Sequence, residues 1–495
     1  MSEFFLALDQ GTTGSTAALI DASTFELVAK VNQEFPQIFP KPSWVEHNLD
    51  DIWQSIADTV KTVMNKHGVT GAQIKCIGIT NQRETTCAFN RKGEALANAI
   101  VWQDRRTTEK CLSLKHYEND VIKLTGLPID PYFSGTKMNW LLNHNEKVQE
   151  ASKANDLLFG TVDSFMLYRL SNGKSHATDS TNASRTLLMD LQTCNWSDEL
   201  LNIFEVPKDT LPQIKESFGD FGFTDGLSFL PDGIPITCIL GDQQAALFGQ
   251  AGFNKGDVKC TYGTGAFMLL NIGNEIAYSS NKLLTTVAYS YQGKTAYAFE
   301  GSCYIAGAAV QWLRDNLMFF NDASEVEQHA NEVKNLEEME NIIFMPFFSG
   351  IASPHWKPDA KAAILGMTRD TNKSHISRAC LEGIALSIDD LVQAMKKDCD
   401  FDLTEMRVDG GAVTNQLLLQ IQASFSEMKI IRPKVIETTA YGAALGSAIG
   451  AGFASFSEVT KNWKEDQSIA PASDWNDYST KKKNLWKKSI IKSYS

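Results

Sequence analysis

Two short turns carry the residue types that phosphate chemistry needs. The first lies in Phe4-Phe5-Leu6-Ala7-Leu8-Asp9-Gln10-Gly11-Thr12-Thr13-Gly14-Ser15-Thr16-Ala17-Ala18-Leu19-Ile20-Asp21. Two apolar runs flank a Gly/Thr/Ser turn there, the pattern of strand, tight turn, strand. Gly11 and Gly14 would let a bulky anion approach the backbone, where converging N–H groups can nest phosphate oxygens. Thr12, Thr13, Ser15 and Thr16 add hydroxyls, and Asp9 is placed to hold Mg²⁺ directly or through water. Hairpin turns also favour Gly, Asp and Thr for backbone reasons alone, so this stretch by itself supports either reading. A second stretch, Lys259-Cys260-Thr261-Tyr262-Gly263-Thr264-Gly265-Ala266-Phe267-Met268-Leu269-Leu270, repeats the design about half a chain downstream. Two such turns facing each other across a cleft would grip a nucleoside triphosphate from both sides, the mark of a duplicated ATP-binding fold.

The elements around these turns follow from pattern. Asn48 reads as the cap of a helix whose Ile52, Ile56, Val60 and Val63 recur at helical spacing. Ile74–Thr80 predicts a buried strand, with Asn81-Gln82-Arg83-Glu84-Thr85 as the loop at its end. Gly160–Leu170 predicts a helix and Ser180–Arg185 a polar loop. Ile234–Leu240 predicts a strand leading into a helix from Asp242 to Gln250. Further helices are expected over Tyr304–Leu317, Ser374–Met395, Asn415–Phe425 and Thr438–Ile449, and a Lys-rich surface helix with a solvated charged face over Thr480–Lys492. Alternating strands and helices argue an α/β protein.

A chain of 495 residues is too long for one ordinary core, so two large domains are expected, 1–250 and 251–495. A 43% hydrophobic and 21% charged composition is that of a globular chain, and a net charge of −13 argues against nucleic acid or an anionic membrane as the main partner. The nine scattered cysteines form no Cys-x-x-Cys pair, which points to a reducing compartment. No signal peptide or membrane span is evident, so a cytoplasmic location is expected. The chain lacks Gly-x-x-x-x-Gly-Lys-Ser/Thr: Gly173-Lys174-Ser175 has its tail, but Tyr168 stands where the first Gly must be.

Taken together, Asp9-Gln10-Gly11-Thr12-Thr13, Asn81-Gln82-Arg83-Glu84-Thr85, Trp102-Gln103-Asp104-Arg105-Arg106-Thr107, Tyr132–Trp140, Gly241–Gln250, Thr261–Gly265 and Val408-Asp409-Gly410-Gly411-Ala412 resemble the FGGY family of carbohydrate kinases. The resemblance covers nearly the whole chain in order. It implies two duplicated ribonuclease-H-like domains of the actin/hexokinase type around an interdomain cleft. It also implies transfer of a phosphoryl group from ATP, with Mg²⁺, to a small polyol. The Arg83-Glu84 and Asp242-Gln243 pairs point to glycerol, phosphorylated to glycerol 3-phosphate, and a dimer or tetramer is expected.

The resemblance also distributes roles. Asp242 would be the base that accepts the hydroxyl proton, although an Asp at a strand-to-helix turn is otherwise an ordinary helix cap. Arg83 and Glu84 would clamp the polyol hydroxyls, where a surface ion pair is the plain alternative. Tyr132 and Gln243 would complete the polar ring, with Trp102 and Phe267 over the C–H side unless they are simply core. Thr12, Thr13, Ser15, Gly263 and Thr264 would meet the phosphates. Gly307, Gln311, Gly411 and Asn415 would lie on the adenosine side, and Asp9 and Asp242 would share the metal. In the family, the loop before the Asp242 strand can carry a bisphosphate site or a phosphorylated His. Residues 219–233 contain no Arg, Lys or His, so neither control is expected there. A pentulose kinase of the same fold and an actin-type assembly ATPase are the competing readings.

Overall fold

The structure, a computed structural model, describes residues 2–494. The apolar run at the N-terminus becomes β1 (Phe4–Gln10), and the first Gly/Thr turn returns the chain along β2 (Gly14–Asp21) and then β3 (Leu27–Glu34). β4 (Ile74–Asn81) lies parallel to β1, β5 spans Phe218–Phe223, and β6 (Pro235–Gly241) lies parallel to β4. The six-stranded sheet runs β5-β6-β4-β1-β2-β3. α1 (Leu49–His67) covers it as expected: Asn48 Oδ1 accepts the Asp50 and Asp51 N–H groups, Gly68 at φ 62° ends the helix, and Ile52, Ile56, Val60 and Val63 are fully buried.

The second half repeats the plan. β7 (Val258–Tyr262) and β8 (Ala266–Gly273) form the second hairpin, β9 (Leu284–Tyr291) and β10 (Lys294–Cys303) follow, and β11 (Glu405–Asp409), β12 (Lys429–Pro433) and β13 (Glu465–Ile469) complete a seven-stranded sheet, β9-β10-β8-β7-β11-β12-β13. β7 pairs antiparallel with β8 and parallel with β11, as β1 does with β2 and β4. Five strands of each sheet therefore repeat one topology; the second adds β9 at one edge, and at the other edge β13 follows its neighbour in the chain where β5 precedes its own.

Six further helices complete the two halves. α2 (Asp242–Gly249) leaves β6, α3 (Gly307–Asp315) follows β10, and α4 (Lys373–Asp398), α5 (Gln416–Ser426), α6 (Thr438–Gly450) and α7 (Asn476–Tyr494) come from the second half. A four-stranded sheet that includes Thr86–Asn90 and Leu157–Thr161 builds out the first half. α6 packs on α2 and on the first sheet, and its small residues make this possible: a Cβ on Gly442 would stand 1.9 Å from the Ala245 carbonyl oxygen.

Four local expectations change. Only Val162–Leu170 of the 160–170 stretch is helical, because Leu157–Thr161 is a buried strand. Ser180–Ala183 is a short buried helix and not a loop: Asp179 caps it, Ser180 bonds Ser290 at 2.7 Å and Ser184 bonds Thr286 at 2.9 Å. The helix expected from Tyr304 begins at Gly307, since β10 runs on to Cys303. The charged face of α7 is not wholly solvated, because Lys482 is fully buried against Glu382 at 2.9 Å.

Candidate active site

The Asn81–Thr85 loop leaves the C-terminal end of β4, and Asp242 leaves the adjacent end of β6. Carboxyl ends of parallel strands are where α/β sheets gather ligands. Glu84 holds a left-handed φ of 62°, and the Thr85 N–H donates to the Arg83 carbonyl at 2.7 Å across it. A non-glycine residue in such a tight turn is strained, and strain of this kind collects at functional sites. The turn aims Arg83 and Glu84 in different directions. Arg83 makes a forked pair with Glu300 of β10, at 2.5 and 2.8 Å, and its Nε stands 3.1 Å from Asp242 Oδ1. Glu84 Oε1 accepts from Arg185 Nε at 2.6 Å, and Arg185 Nη2 in turn reaches Glu300 at 3.1 Å.

These charges are buried, so the pair on the Arg83-Glu84 loop is not a surface ion pair: the Arg83, Glu84, Arg185 and Glu300 side chains are 0–2 % exposed. Burial pushes the Glu84 carboxyl up against the opposing pull of Arg185 and Arg83. Burial works on Glu300 in the same sense, but Arg185 and Arg83 together hold it below the usual carboxylate range. Asp242 differs from its neighbours. Its side chain is 30 % exposed, and besides Arg83 it accepts the Gln243 N–H at 2.7 Å and the Gln243 Nε2 at 3.2 Å. Gly241 precedes it because a Cβ there would lie 2.6 Å from Arg83 Cδ.

Three aromatic rings wall the same space. Trp102 stands edge-on to Tyr132 at 5.7 Å and to Phe267 at 6.1 Å, the last from the second hairpin. Trp102 Nε1 donates to Thr12 Oγ1 at 2.9 Å and so joins this wall to the first phosphate turn. Gln82 ties the same parts together, donating to Gln10 Oε1 at 2.9 Å and to the Gly11 carbonyl at 3.2 Å. Of the expected polyol residues, Arg83 and Gln243 contact Asp242, Glu84 joins them through Arg185 and Glu300, and Trp102, Tyr132 and Phe267 form one aromatic cluster.

The two turns close in the same way. The Gly11 N–H bonds the Gly14 carbonyl, and the Gly263 N–H the Gly265 carbonyl, both at 2.9 Å. Thr13 and Thr264 are exposed and Thr12 half-buried. Ser15 is a correction: it is fully buried and shares a 2.7 Å hydrogen bond with Ser55 of α1, because the alternation of β2 turns it into the core, away from any phosphate. Gly14 is likewise there for packing, since a Cβ would stand 2.8 Å from the Gln33 carbonyl oxygen. On the far side, the Gly307 N–H at the start of α3 donates to the Gly263 carbonyl at 3.0 Å, and Gln311 is exposed on the same helix. Gly410, at φ 89°, abuts the Tyr262 carbonyl, whereas a Cβ on Gly411 would meet open space. The Asn415 side chain caps α5 through the Leu418 N–H at 2.8 Å.

Asp9 lies at the first turn. Burial, then the Asp242 and Glu437 charges, pushes its carboxyl up to about 8. Carboxylates that repel one another across a phosphate turn fit a divalent cation. Among the described residues no three metal-ligating side chains group together, which leaves the remaining ligand positions to phosphate and water.

Residues 4–249 match the N-terminal domain of the FGGY family of carbohydrate kinases, and residues 258–451 its C-terminal domain. The chain belongs to the FGGY family of carbohydrate kinases. It is 47% identical to the glycerol kinase of Myxococcus xanthus and 48% identical to that of Bdellovibrio bacteriovorus, with 95% of each chain covered in both cases. Among solved structures, Plasmodium falciparum glycerol kinase with ADP superposes with a TM-score of 0.90 at 34% identity, over 100% of this chain and 99% of that one. A gluconate kinase from Lactobacillus acidophilus, at 20% identity and a TM-score of 0.87, shares the fold. The two-domain FGGY fold, of the actin and hexokinase type, is therefore that of this chain.

Four residues that pack around the candidate site were not anticipated from sequence. Arg185 and Glu300 hold the Arg83-Glu84 loop. Lys137, fully buried, donates to the Tyr132 carbonyl at 2.5 Å, and burial lowers its pKa to about 7. Lys259 contacts Gln243. A signal existed for Glu300 and Lys259, each a charge set among apolar neighbours within a strand.

Proposed function

We propose that this FGGY kinase transfers the γ-phosphoryl group of ATP to a terminal hydroxyl of glycerol, giving ADP and sn-glycerol 3-phosphate. The observation that carries the reading is the half-open Asp242 carboxylate set among Arg83, Glu84, Gln243 and the aromatic wall, beside the two phosphate turns. In the proposed reaction, the hydroxyl proton passes to Asp242 as the oxygen bonds to phosphorus and the bond to the ADP oxygen breaks in line. Proton acceptance comes late, as the oxygen–phosphorus bond forms. The Arg83 ion pair and the Gln243 hydrogen bonds fix the orientation of Asp242. Glu84 and Tyr132 face the other hydroxyls of the triol, and Trp102 with Phe267 covers its C–H edge and excludes water. Thr12, Thr13, Gly263 and Thr264 receive the phosphates, and Gly307, Gln311, Gly411 and Asn415 line the adenosine side. Asp9 and Asp242 would hold Mg²⁺, which when bound neutralises phosphate charge.

The reading extends to a cytoplasmic homo-oligomer, a dimer or tetramer. The nine cysteines are unpaired, in keeping with a reducing compartment, and no helix of the described residues is long and apolar enough to cross a membrane. The test is an ADP-coupled assay over a polyol panel. Turnover on glycerol is expected; turnover confined to pentuloses, or ATP hydrolysis indifferent to polyols, would overturn the reading.

A further inference from the structure

Each oxygen of the Asp242 carboxylate faces one side-chain nitrogen: Oδ1 stands 3.1 Å from Arg83 Nε in an ion pair, and Oδ2 accepts from Gln243 Nε2 at 3.2 Å. Each of these two side chains is itself held by a fully buried charge from the second sheet. Glu300 forks onto the Arg83 guanidinium. Lys259 Nζ donates to Gln243 Oε1 at 2.5 Å and to Thr261 Oγ1 at 2.8 Å. Lys259 and Glu300 are register partners of the same residue, Leu269: the first sits opposite it on β7 and the second opposite it on β10. Side chains directly opposite one another in a sheet share a face. The second sheet therefore presents a cation and an anion in one row, each clasping one partner of the Asp242 carboxylate.

The Lys259 contact fixes more than position. An amide can be turned over with little change in shape, so its polarity is set by its neighbours. An ammonium group only donates, so Gln243 must turn its carbonyl oxygen to Lys259 and its NH₂ to Asp242. The forked Glu300 pair likewise uses both terminal nitrogens of Arg83 and leaves the Nε edge to the ion pair with Asp242.

We propose that Lys259 and Glu300 are positioning residues that hold the Asp242 carboxylate, through Gln243 and Arg83, in the orientation that takes the polyol proton. The inference rests on the reading of Asp242 as the base. It assigns the C-terminal sheet a part in proton transfer as well as in nucleotide binding.

The test is steady-state kinetics of Lys259→Met, Gln243→Ala, the double variant K259M/Q243A and Glu300→Gln, with Asp242→Asn as a separate arm. Met matches the length of Lys and leaves only neutral partners behind, and exchange of a buried charge for an apolar side chain of similar volume is commonly tolerated. K259M is expected to lower kcat about tenfold or more with the KM for ATP nearly unchanged. The double variant is expected to be no slower than Q243A, because Lys259 acts through Gln243. E300Q is expected to lower kcat in the same manner; should it not fold, the Lys259 cycle decides the proposal. Wild-type kcat in K259M, or losses that multiply in the double variant, would overturn the inference while D242N stays inactive. Near-normal turnover by D242N would instead overturn the reading of the base.

Discussion

Replacing Glu84 by Gln keeps the shape of the side chain and removes one charge from a site that is 2 % exposed. Arg185 then keeps Glu300 at 3.1 Å but its 2.6 Å partner is no longer charged, and its Nη1 has no protein partner to begin with. Removing one member of a buried pair costs about 3–5 kcal/mol; with Glu300 still in place the lower end, about 3 kcal/mol of stability, is expected. The effect on substrate is separate. A hydrogen bond from a polyol hydroxyl to a charged acceptor contributes about 1.5–3 kcal/mol. Its loss should raise the KM for glycerol by about 10- to 150-fold at one decade per 1.4 kcal/mol. An ADP-coupled assay with glycerol varied at saturating ATP reads this, and a thermal melt confirms that the variant is folded. A folded Glu84→Gln enzyme with wild-type glycerol KM would refute the idea that this strained turn aims Glu84 at the substrate.

Two further outcomes follow from the same structure. Gly411→Ala meets open space and should change stability by less than about 0.5 kcal/mol. Its KM for ATP should nevertheless rise, whereas Gly410→Ala, with its Cβ 2.5 Å from the Tyr262 carbonyl oxygen, should cost about 1–3 kcal/mol by melting. Equal melting points, or an unchanged ATP KM in G411A, would contradict the placement of this loop. Asp163 is buried between Thr161 and Thr178, and burial raises its carboxyl to about 7. Its folded pKa lies above the unfolded value, so its contribution to stability is full below about pH 4 and is lost as pH rises through 7. Urea melts should show the stability of wild type relative to Asp163→Asn falling between pH 4 and 7 and level above; a rise across that window would contradict it.

Local patterns carried much of the site. Gly/Thr turns between apolar runs marked both hairpins, and the capping signal at Asn48 and the strand-to-helix step at Asp242 were read from neighbouring residues. Partners brought together by folding left weaker marks. Arg185 lies 101 residues from Glu84, and Glu300 lies 217 from Arg83, so no local spacing links them. Hydroxyl-rich Ser180–Arg185 looked like loop because polarity usually means solvent. In the fold Ser180, Thr181, Asn182, Ser184 and Arg185 each bond a buried partner, so the segment lies inside the protein. Ser15 misled for the converse reason: a hydroxyl one residue past a turn falls on whichever face strand alternation gives it. Lys482 shows the same limit, since a Lys-rich run does not reveal which lysine meets the buried Glu382.

The account depends most on Asp242 as the group that takes the proton while others bind the alcohol. Calorimetry with glycerol and turnover with ATP, measured on Asp242→Asn, separate the two roles in one variant. Glycerol affinity close to wild type with kcat reduced by about 10²–10⁴-fold is the predicted result. Turnover near the wild-type rate, or glycerol binding abolished along with it, would contradict that assignment.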